Sequence, residues 1–194
     1  MDMLTNTAES PPVLTIQGAR ATISLNRPDH MNRLHSEDLL VLKDIFALLS
    51  KDTTIRVVVL TGVGRVFCAG YNIAELAPSS SAGVTSEPGE FELMVEALAR
   101  LPLPTICRFN GSVYGGATDM ALACDFRVGT QSMELRMPAV RLGLHYYPSG
   151  LKRYVSRLGL AQAKRLFLLG QAVQADELVR IGYLDYVAPL DALG

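Results

Sequence analysis

The sequence predicts an α/β fold in which parallel strands alternate with helices. Three apolar, β-branched runs, at 55–60, 105–109 and 124–128, have the composition of strands that are buried on both faces. Each run leads into a glycine within a few residues, and segments with helical periodicity lie between the runs. Such recurrence is typical of ββα or βα units repeated around parallel sheets.

The N-terminal part of the chain is predicted to begin with two strands and a helix. Runs 13–17 and 21–25 are short and β-rich, and Gly18 between them favours a hairpin or two neighbouring strands. From 36 to 50, apolar residues recur with a period of about 3.6 residues, which predicts a helix with Ser36 as its cap.

The later part of the chain is predicted to be mainly helical. Helical spacing covers 90–100, 149–169 and 175–181, and 183–187 has the composition of a closing strand. The segment 78–89 is rich in serine, proline and glycine and has no apolar periodicity, so we expect a mobile loop there.

The composition indicates a single domain without a strong net charge. The chain has 194 residues, of which 49% are hydrophobic, enough to bury a core. Its 18 basic and 19 acidic residues nearly cancel, which disfavours nucleic acid and anionic membranes as partners and leaves a small-molecule ligand. No apolar run approaches the roughly 18 to 20 residues that span a bilayer.

The cysteines and the N-terminus predict a cytoplasmic protein. Cys68, Cys107 and Cys124 form no CxxC pair and have apolar or small neighbours, so we expect reduced thiols in the core. Residues 1–12 lack a basic stretch followed by an apolar one, and we interpret them as a disordered leader before one domain at 13–194.

Two glycine-containing turns carry the main chemical signal. FCAGYN at 67–72 and YGGATD at 114–119 each follow a buried strand and precede a possible helix. Unpaired N–H groups at a helix start attract negative charge, and two that converge form an oxyanion hole. A Gly-Gly pair before a helix is also typical of close packing or a tight turn, so both interpretations stand at this point.

Asp119 is a candidate base next to the second turn. It lies three residues after Gly116, which places both on the same face of the predicted helix. Its carboxylate is then within reach of a group bound near the turn. An acidic residue in a first helical turn also complements the helix dipole, and this structural role is the alternative.

Four blocks of the sequence carry a family resemblance when they are taken together. They are LNRPDHMN at 25–32, VFCAGYNIAEL at 66–76, NGSVYGGATDMALACDFRV at 110–128 and MPAVRLGL at 137–144. In this order they resemble the enoyl-CoA hydratase/isomerase (crotonase) superfamily. The resemblance implies a crotonase-like spiral of repeated ββα units with surrounding helices. It also implies an acyl-CoA thioester as substrate, without a separate cofactor or a metal.

The resemblance further implies roles for both turns. The backbone N–H groups of Tyr71 and Gly116 would be the oxyanion donors that stabilise a thioester enolate. The coenzyme A moiety would be contacted by residues of two short segments, namely Asp29, His30, Met31, Arg33, Ala69, Gly70, Asn72 and Ile73.

One of the two glutamates that the family's hydratases use is missing. By the resemblance, Asp119 occupies the first position and Ala139 the second, and alanine cannot transfer a proton. We therefore do not expect hydration by two carboxylates, and the usual enoyl-CoA isomerase route relies on the same missing position. Tyr147 falls where dienoyl-CoA isomerases have a further acid, and His145 nearby is a residue type suited to proton transfer near neutral pH.

The C-terminus is shorter than the resemblance leads us to expect. Family members usually continue with several helices that complete a trimer and help to cover the acyl pocket. We expect those helices to be missing here, and a homotrimer or dimer of trimers when that region is present.

Three function hypotheses follow. The leading one is an acyl-CoA isomerase or lyase that forms a thioester enolate, with Asp119 as the preferred proton-transfer group and His145 or Tyr147 assisting. The alternative is an acyl-CoA-binding protein with weak activity or none. A serine hydrolase with Ser112 or Ser149 as nucleophile is the third, although neither serine lies in a GxSxG turn.

Overall fold

The computed structural model describes residues 9–75 and 89–193, in which strands and helices alternate along the chain. The strands are β1 (Val13–Gln17), β2 (Arg20–Leu25), β3 (Val57–Gly62), β4 (Val66–Cys68), β5 (Thr105–Arg108), β6 (Ser112–Tyr114), β7 (Phe126–Gly129), β8 (Glu134–Arg136), β9 (Val173–Gln174) and β10 (Tyr186–Val187). The α-helices are α1 (Ser36–Leu49), α2 (Glu90–Ala99), α3 (Gly116–Ala123), α4 (Pro148–Leu158), α5 (Leu160–Leu169) and α6 (Ala175–Arg180).

The strands form two sheets. The larger has the order β1-β2-β3-β5-β7-β10, and all of its neighbours are parallel except the hairpin of β1 with β2. The smaller has the order β4-β6-β8-β9, with only β8 and β9 antiparallel. The predicted hairpin is confirmed, and Gly18 in its turn has a φ of 58°.

Successive strands alternate between the two sheets, and this alternation produces a spiral. β3 in the larger sheet is followed by β4 in the smaller one, β5 is followed by β6, and β7 by β8. α2, α3 and α4 follow these three pairs in turn. The predicted repetition of ββα units around parallel sheets is therefore confirmed.

The core explains the sequence periodicity. In β2, Ala21, Ile23 and Leu25 are buried and the residues between them are partly exposed, so one face of the sheet points inward. α1 buries a single stripe at helical spacing. α3 is different, because every residue from 117 to 123 is buried. This central helix carries Gly116 at its start and Asp119 in its first turn.

Gly159 divides a segment predicted as one helix. The spacing of apolar residues predicts continuous helix over 149–169, but the structure has α4 and α5 there. Gly159 has a φ of 81°, a conformation that favours glycine, and its N–H donates to the carbonyl of Val155 at the end of α4. Periodicity alone does not place this break, because the apolar pattern continues across it.

Two further boundaries differ from the prediction. The cap of α1 is His35, whose N–H donates to the Asp38 carboxylate at 2.8 Å, and Ser36 is the first helical residue. The closing strand shrinks from 183–187 to β10, because the N–H of Tyr183 instead donates to a carbonyl at the end of α6.

Two predicted segments lie wholly or partly outside the described residues. Of the expected leader, the structure describes residues from 9 onward, where the N–H of Ser10 donates to the carbonyl of Asn26 at 3.0 Å. Of the loop expected at 78–89, it describes only Gly89. The boundary at residue 13 stays a prediction. None of the helices within the described ranges is long and apolar enough to cross a bilayer.

Candidate active site

A cavity of about 670 Å³ opens between the two glycine turns, the start of α2 and the segment before α4. This volume is typical of a small-molecule site. Most of the side chains around it are apolar or aromatic. The lining residues come from five parts of the chain, 33–36, 69–75, 89–92, 115–116 and 137–147.

The two glycine turns meet in the wall of this cavity. A Cβ atom placed on Gly70 would lie 2.9 Å from the carbonyl oxygen of Tyr114 and 3.2 Å from the amide nitrogen of Gly116. Gly70 also has a φ of 94°, so both space and backbone conformation favour glycine there. The backbone at 70–71 therefore lies directly against the start of α3.

Within the described residues, the N–H of Tyr71 has no acceptor, because the hydrogen bonds of Gly70 and Asn72 with Leu34 point it away from that residue. The carbonyl of Gly70 accepts from the N–H of Leu34 at 2.9 Å, and the N–H of Asn72 donates to the carbonyl of Leu34 at 2.8 Å. Because alternate groups of an extended chain point in opposite directions, the N–H of Tyr71 faces away from Leu34. It donates to no other residue within 9–75 or 89–193.

The amide of Gly116 is unpaired for a different reason. Gly116 is the first residue of α3, where N–H groups have no acceptor within the helix. Its N–H also has no acceptor elsewhere among the described residues. The amides of Tyr71 and Gly116, neither of which has an acceptor among the described residues, thus belong to touching backbone segments that both line the cavity.

The side chain of Cys68 forms hydrogen bonds that stabilise the first glycine turn. The N–H of Gly70 donates to Cys68 Sγ at 3.3 Å, and the thiol donates to the carbonyl of Asn32 at 2.9 Å. The side chain is fully buried, and this burial raises the pKa of the thiol to about 12. All three cysteines are buried and unpaired, as the sequence predicts.

Glu75 ties the rim of the cavity to the start of α1. Its carboxylate accepts from both the N–H and the hydroxyl of Ser36, each at 2.8 Å, and also contacts the Nδ1 of His35 at 2.6 Å and the side-chain amide of Asn72 at 2.8 Å. These contacts, led by the backbone N–H of Ser36, lower the pKa of Glu75 to about 2. The Ser36 hydroxyl is also 2.8 Å from the Tyr71 hydroxyl.

Asp119, in the first turn of α3, does not line the cavity. Its carboxylate is fully buried, and Oδ2 accepts hydrogen bonds from the Tyr147 hydroxyl and from the guanidinium of Arg153, the latter at 2.6 Å. Arg153 also pairs with Glu96 of α2. The predicted direct contact between Asp119 and a ligand is therefore not supported, because Tyr147 stands between the carboxylate and the cavity.

Burial dominates the ionisation of this group. It raises the pKa of Asp119, and the positive charge of Arg153 acts in the opposite direction. Burial and the neighbouring Asp119 together raise the pKa of Tyr147, so its phenol is neutral at physiological pH. Tyr147 can therefore donate a hydrogen bond but is not a ready phenolate base.

A close approach at Gly150 brings α4 against these groups. A Cβ on Gly150 would lie 2.5 Å from a ring carbon of Tyr146, 2.7 Å from one of Tyr147 and 2.9 Å from Asp119 Oδ2. The two tyrosine rings stack with centroids 4.3 Å apart. The ring of Phe91 covers Gly116, with its nearest atom 2.8 Å from where a Cβ of that glycine would be, and its centroid lies 6.2 Å from that of the Tyr147 ring.

The structure brings together most of the residues predicted for the site. Nine of them line the cavity, namely Arg33, Ala69, Gly70, Tyr71, Asn72, Ile73, Gly116, His145 and Tyr147. Ala139 also lines it. Four predicted residues, Asp119, Asp29, His30 and Met31, do not.

The segment 29–31 is held elsewhere. The N–H of Asp29 and the ring of His30 both bind the Glu9 carboxylate, at 3.0 and 2.9 Å. None of Asp29, His30 and Met31 lines the cavity, and their contact with coenzyme A stays a prediction.

Sequence reasoning missed Phe91, Gly150 and Arg153. They lie on helices distant in sequence from the two turns, and no local motif marks them. The hydroxyl of Ser149 donates to Glu92 and that of Ser112 accepts from a backbone N–H, so neither contacts a histidine in the described part of the chain. Within 9–75 and 89–193, no three His, Cys, Asp or Glu side chains are grouped to hold a metal ion.

Comparisons with known proteins agree with this fold. The family model described as enoyl-CoA hydratase/isomerase matches residues 15–194. A short-chain-enoyl-CoA hydratase from Clostridium acetobutylicum is 30% identical, with 90% of this chain and 67% of that protein covered. An enoyl-CoA isomerase/hydratase from Mycosarcoma maydis is 33% identical, with 85% and 64% covered.

Solved structures show the same likeness. An enoyl-CoA hydratase from Bacillus anthracis superimposes with a TM-score of 0.84 at 30% identity, over 95% of this chain and 72% of that one. The chain spans about two thirds of the length of the curated relatives named here. The family match, the relatives and the spiral of ββα units agree, and the chain belongs to the enoyl-CoA hydratase/isomerase family of the crotonase superfamily.

Proposed function

We propose that the cavity binds an acyl-CoA thioester and that the amides of Tyr71 and Gly116 hold its carbonyl oxygen while an enolate forms. The observation that carries this proposal is the direct contact of two backbone segments whose N–H groups have no acceptor among the described residues. Preorganised donors of this kind stabilise charge that develops on an oxygen, and losing one typically costs about 100- to 1000-fold in rate. The start of α3 adds the favourable end of a helix dipole.

The lining of the cavity contains both polar and apolar side chains, which suits the two chemically different parts of an acyl-CoA ester. Arg33, Asn72 and Ile73 line one part, and we propose that they contact the coenzyme A moiety together with Ala69 and Gly70. Leu142 and Leu144 line another part, which suits an acyl chain. We propose no cofactor beyond the coenzyme A moiety of the substrate.

The side chains favour proton transfer over hydration by paired carboxylates. Ala139 lines the cavity where the family resemblance leads us to expect a second carboxylate. Asp119 is buried and paired with Arg153. We therefore propose isomerase or lyase chemistry, in which Tyr147 and His145, which line the cavity, take part in proton transfer together with Asp119 behind Tyr147.

The test is a panel of acyl-, enoyl- and β-ketoacyl-CoA esters in deuterium oxide, read by mass spectrometry. Deuterium uptake at the α-carbon reports enolate formation whatever the final product. We expect uptake into at least one ester at a rate well above that of the ester alone. Absence of uptake across the panel contradicts the enzymatic proposal.

A second candidate function, acyl-CoA binding without turnover, is favoured by the ion pair of Asp119 with Arg153 and by Ala139. It shares the proposed contacts of Tyr71 and Gly116 with the thioester. It predicts micromolar or tighter binding of several esters by calorimetry but no deuterium uptake. The two measurements together separate the candidates.

A further inference from the structure

A single hydrogen-bonded residue connects the buried Asp119 carboxylate with the cavity. Within the described residues, Asp119 accepts from Tyr147 and Arg153, and both donate to the same oxygen, Oδ2. Of these two donors, only Tyr147 lines the cavity. A proton that travels between a bound ligand and Asp119 along these hydrogen bonds must therefore pass through the phenol of Tyr147.

We propose that Tyr147 and Asp119 form a proton relay, in which Tyr147 meets the acyl group and Asp119 holds the proton, and that Arg153 is the positioning residue for Asp119. The relay rests on the enolate chemistry proposed for this cavity. It assigns Asp119 a role through Tyr147 instead of a direct one.

The step balances without any further reactant. The phenol oxygen of Tyr147 takes the α-proton of the thioester while its own proton moves to Asp119 Oδ2. The C–H electron pair enters the enolate, whose oxygen lies at the amides of Tyr71 and Gly116. The reverse transfer returns a proton to the α-carbon, or to a more distant carbon when the enolate is conjugated, which gives exchange in the first case and isomerisation in the second.

Asp119 is suited to hold a proton. Its other oxygen, Oδ1, is buried and has no hydrogen-bond partner among the described residues. A carboxylate that is deprived of water and only partly hydrogen-bonded binds a proton more tightly. In agreement, burial raises the pKa of Asp119.

Arg153 opposes the effect of burial on the pKa of Asp119 and holds the Asp119 carboxylate in place. Its side chain is 10% exposed, and its two terminal nitrogens bridge Asp119 on α3 and Glu96 on α2. Among the described residues, the titratable or charged groups in direct contact with Asp119 are those of Tyr147 and Arg153. Glu96, Tyr146, Tyr154 and Tyr183 lie farther away but still interact with its charge. The positive charge of Arg153 opposes the effect of burial and favours the ionised carboxylate, the form that can accept a proton from Tyr147.

The first experiment compares Tyr147→Phe with Tyr186→Phe. The first change removes the relay hydroxyl and keeps the ring, and the second removes the hydroxyl of an exposed tyrosine on β10 that does not line the cavity. The probe is vinylacetyl-CoA in deuterium oxide, because its α-protons are activated by both the thioester and the double bond. We expect Tyr147→Phe to lower the exchange rate by at least about 100-fold, as general acid-base groups do, with Kd changed by less than about threefold.

The outcomes separate the relay from the function on which it rests. Exchange by the wild-type chain and by Tyr147→Phe at similar rates overturns the relay and leaves enolate formation intact. No exchange by the wild-type chain with this probe or the wider panel overturns both. Loss in Tyr147→Phe together with full activity in Tyr186→Phe supports the relay.

A double variant tests whether Asp119 and Tyr147 act as one unit. Asp119→Asn should slow exchange as much as Tyr147→Phe, and the double variant should be no slower than either, since groups that act together are not additive. Multiplying effects would mean that the two residues act independently, which overturns the relay. Both substitutions nearly preserve side-chain volume, so circular dichroism should match the wild type.

The role of Arg153 is tested by the pH dependence of exchange in Arg153→Met and Arg153→Lys. Loss of the positive charge makes Asp119 harder to ionise, so the rise in rate with pH should move to higher pH in Arg153→Met and stay near the wild-type position in Arg153→Lys. An equal loss of rate at every pH in both variants would indicate a structural role only and would overturn the assignment. If Arg153→Met does not fold, the position of the rise in Arg153→Lys still decides the point, since a rise displaced upward despite the retained charge contradicts it.

Discussion

The two sides of the cavity are built in different ways. On one side, the backbone at 70–71 touches the backbone at 115–116, and glycines make this contact possible. On the other side, the surface is formed by the side chains of Tyr146 and Tyr147, which are held by a buried ion pair on α3 and α4. The first side offers fixed N–H donors, while the second offers the side chains to which we assign proton transfer.

This difference predicts how each side of the cavity tolerates substitution. Backbone donors survive most side-chain substitutions, because each residue except proline supplies an N–H. The proton-transfer side depends on the identity of a few side chains and on how α4 packs. We therefore expect the two sides to respond differently to substitution.

The largest effect is expected for Gly70→Ala. The new Cβ would meet backbone atoms at 2.9 and 3.2 Å that cannot rotate away, in a residue with a φ of 94°. The amides of Tyr71 and Gly116 should separate, and exchange should fall by about 100- to 1000-fold. The free energy of unfolding should fall by about 1 to 3 kcal/mol, measured by urea denaturation.

Gly18→Ala is the matched control for this variant. Gly18 also has a positive φ, 58°, but a Cβ there would meet no atom within 4 Å. We expect it to cost about 1 kcal/mol from backbone strain and to leave the exchange rate unchanged. Equal exchange rates in the two variants would show that close approach at Gly70 does not define the donors.

Gly150→Ala tests the side-chain side and should have an intermediate effect. In an ordinary helix this substitution stabilises by about 1 kcal/mol. Here the methyl group would overlap the rings of Tyr146 and Tyr147, so we expect a net loss of about 1 to 3 kcal/mol of unfolding free energy. Ser156→Ala, on the exposed face of α4, should change it by less than about 0.5 kcal/mol. A gain in stability for Gly150→Ala would mean that α4 is not tightly packed on the tyrosines.

The smallest effect is expected for Glu75→Gln and depends on pH. Glu75 has a lower pKa in the folded chain, about 2, than its ordinary value of 4.5, so its ionised form stabilises the fold above pH 4.5. This contribution is lost as the pH falls from 4.5 towards 2. The stability difference between wild type and Glu75→Gln should therefore shrink across that window, as measured by thermal unfolding at several pH values. Asp44→Asn, at an exposed position of α1, should give a curve parallel to the wild type.

Local sequence predicted the side of the cavity that is formed by the glycine turns better than the side that is formed by Tyr146 and Tyr147. The glycines at 70, 115 and 116 stand next to buried strands, and a strand end followed by a helix start leaves few conformations for the turn. The buried strands β3, β5 and β7 were predictable too, since continuous β-branched runs have few other stable environments.

The proton-transfer side was predicted only in part. Tyr147 and His145 follow a recognisable block and do line the cavity. The position of Asp119 behind Tyr147 was not predictable, because it depends on Arg153 reaching across from α4 and on the space left by Gly150. Likewise, the apolar spacing does not mark the end of α4, because it continues across Gly159, and the glycine itself is the local signal for the break.

Alkylation of the Cys68 thiol can be used to measure how often the structure around the first glycine turn opens. Only the thiolate reacts with alkylating reagents, and a thiol that is sealed from solvent and ionises with a pKa of about 12 is nearly inert. Labelling of Cys68 therefore requires the packing of Cys68 against Asn32 and Gly70 to open. The alkylation rate of Cys68, compared with the rates at Cys107 and Cys124, would distinguish local opening around Cys68 from global unfolding of the chain.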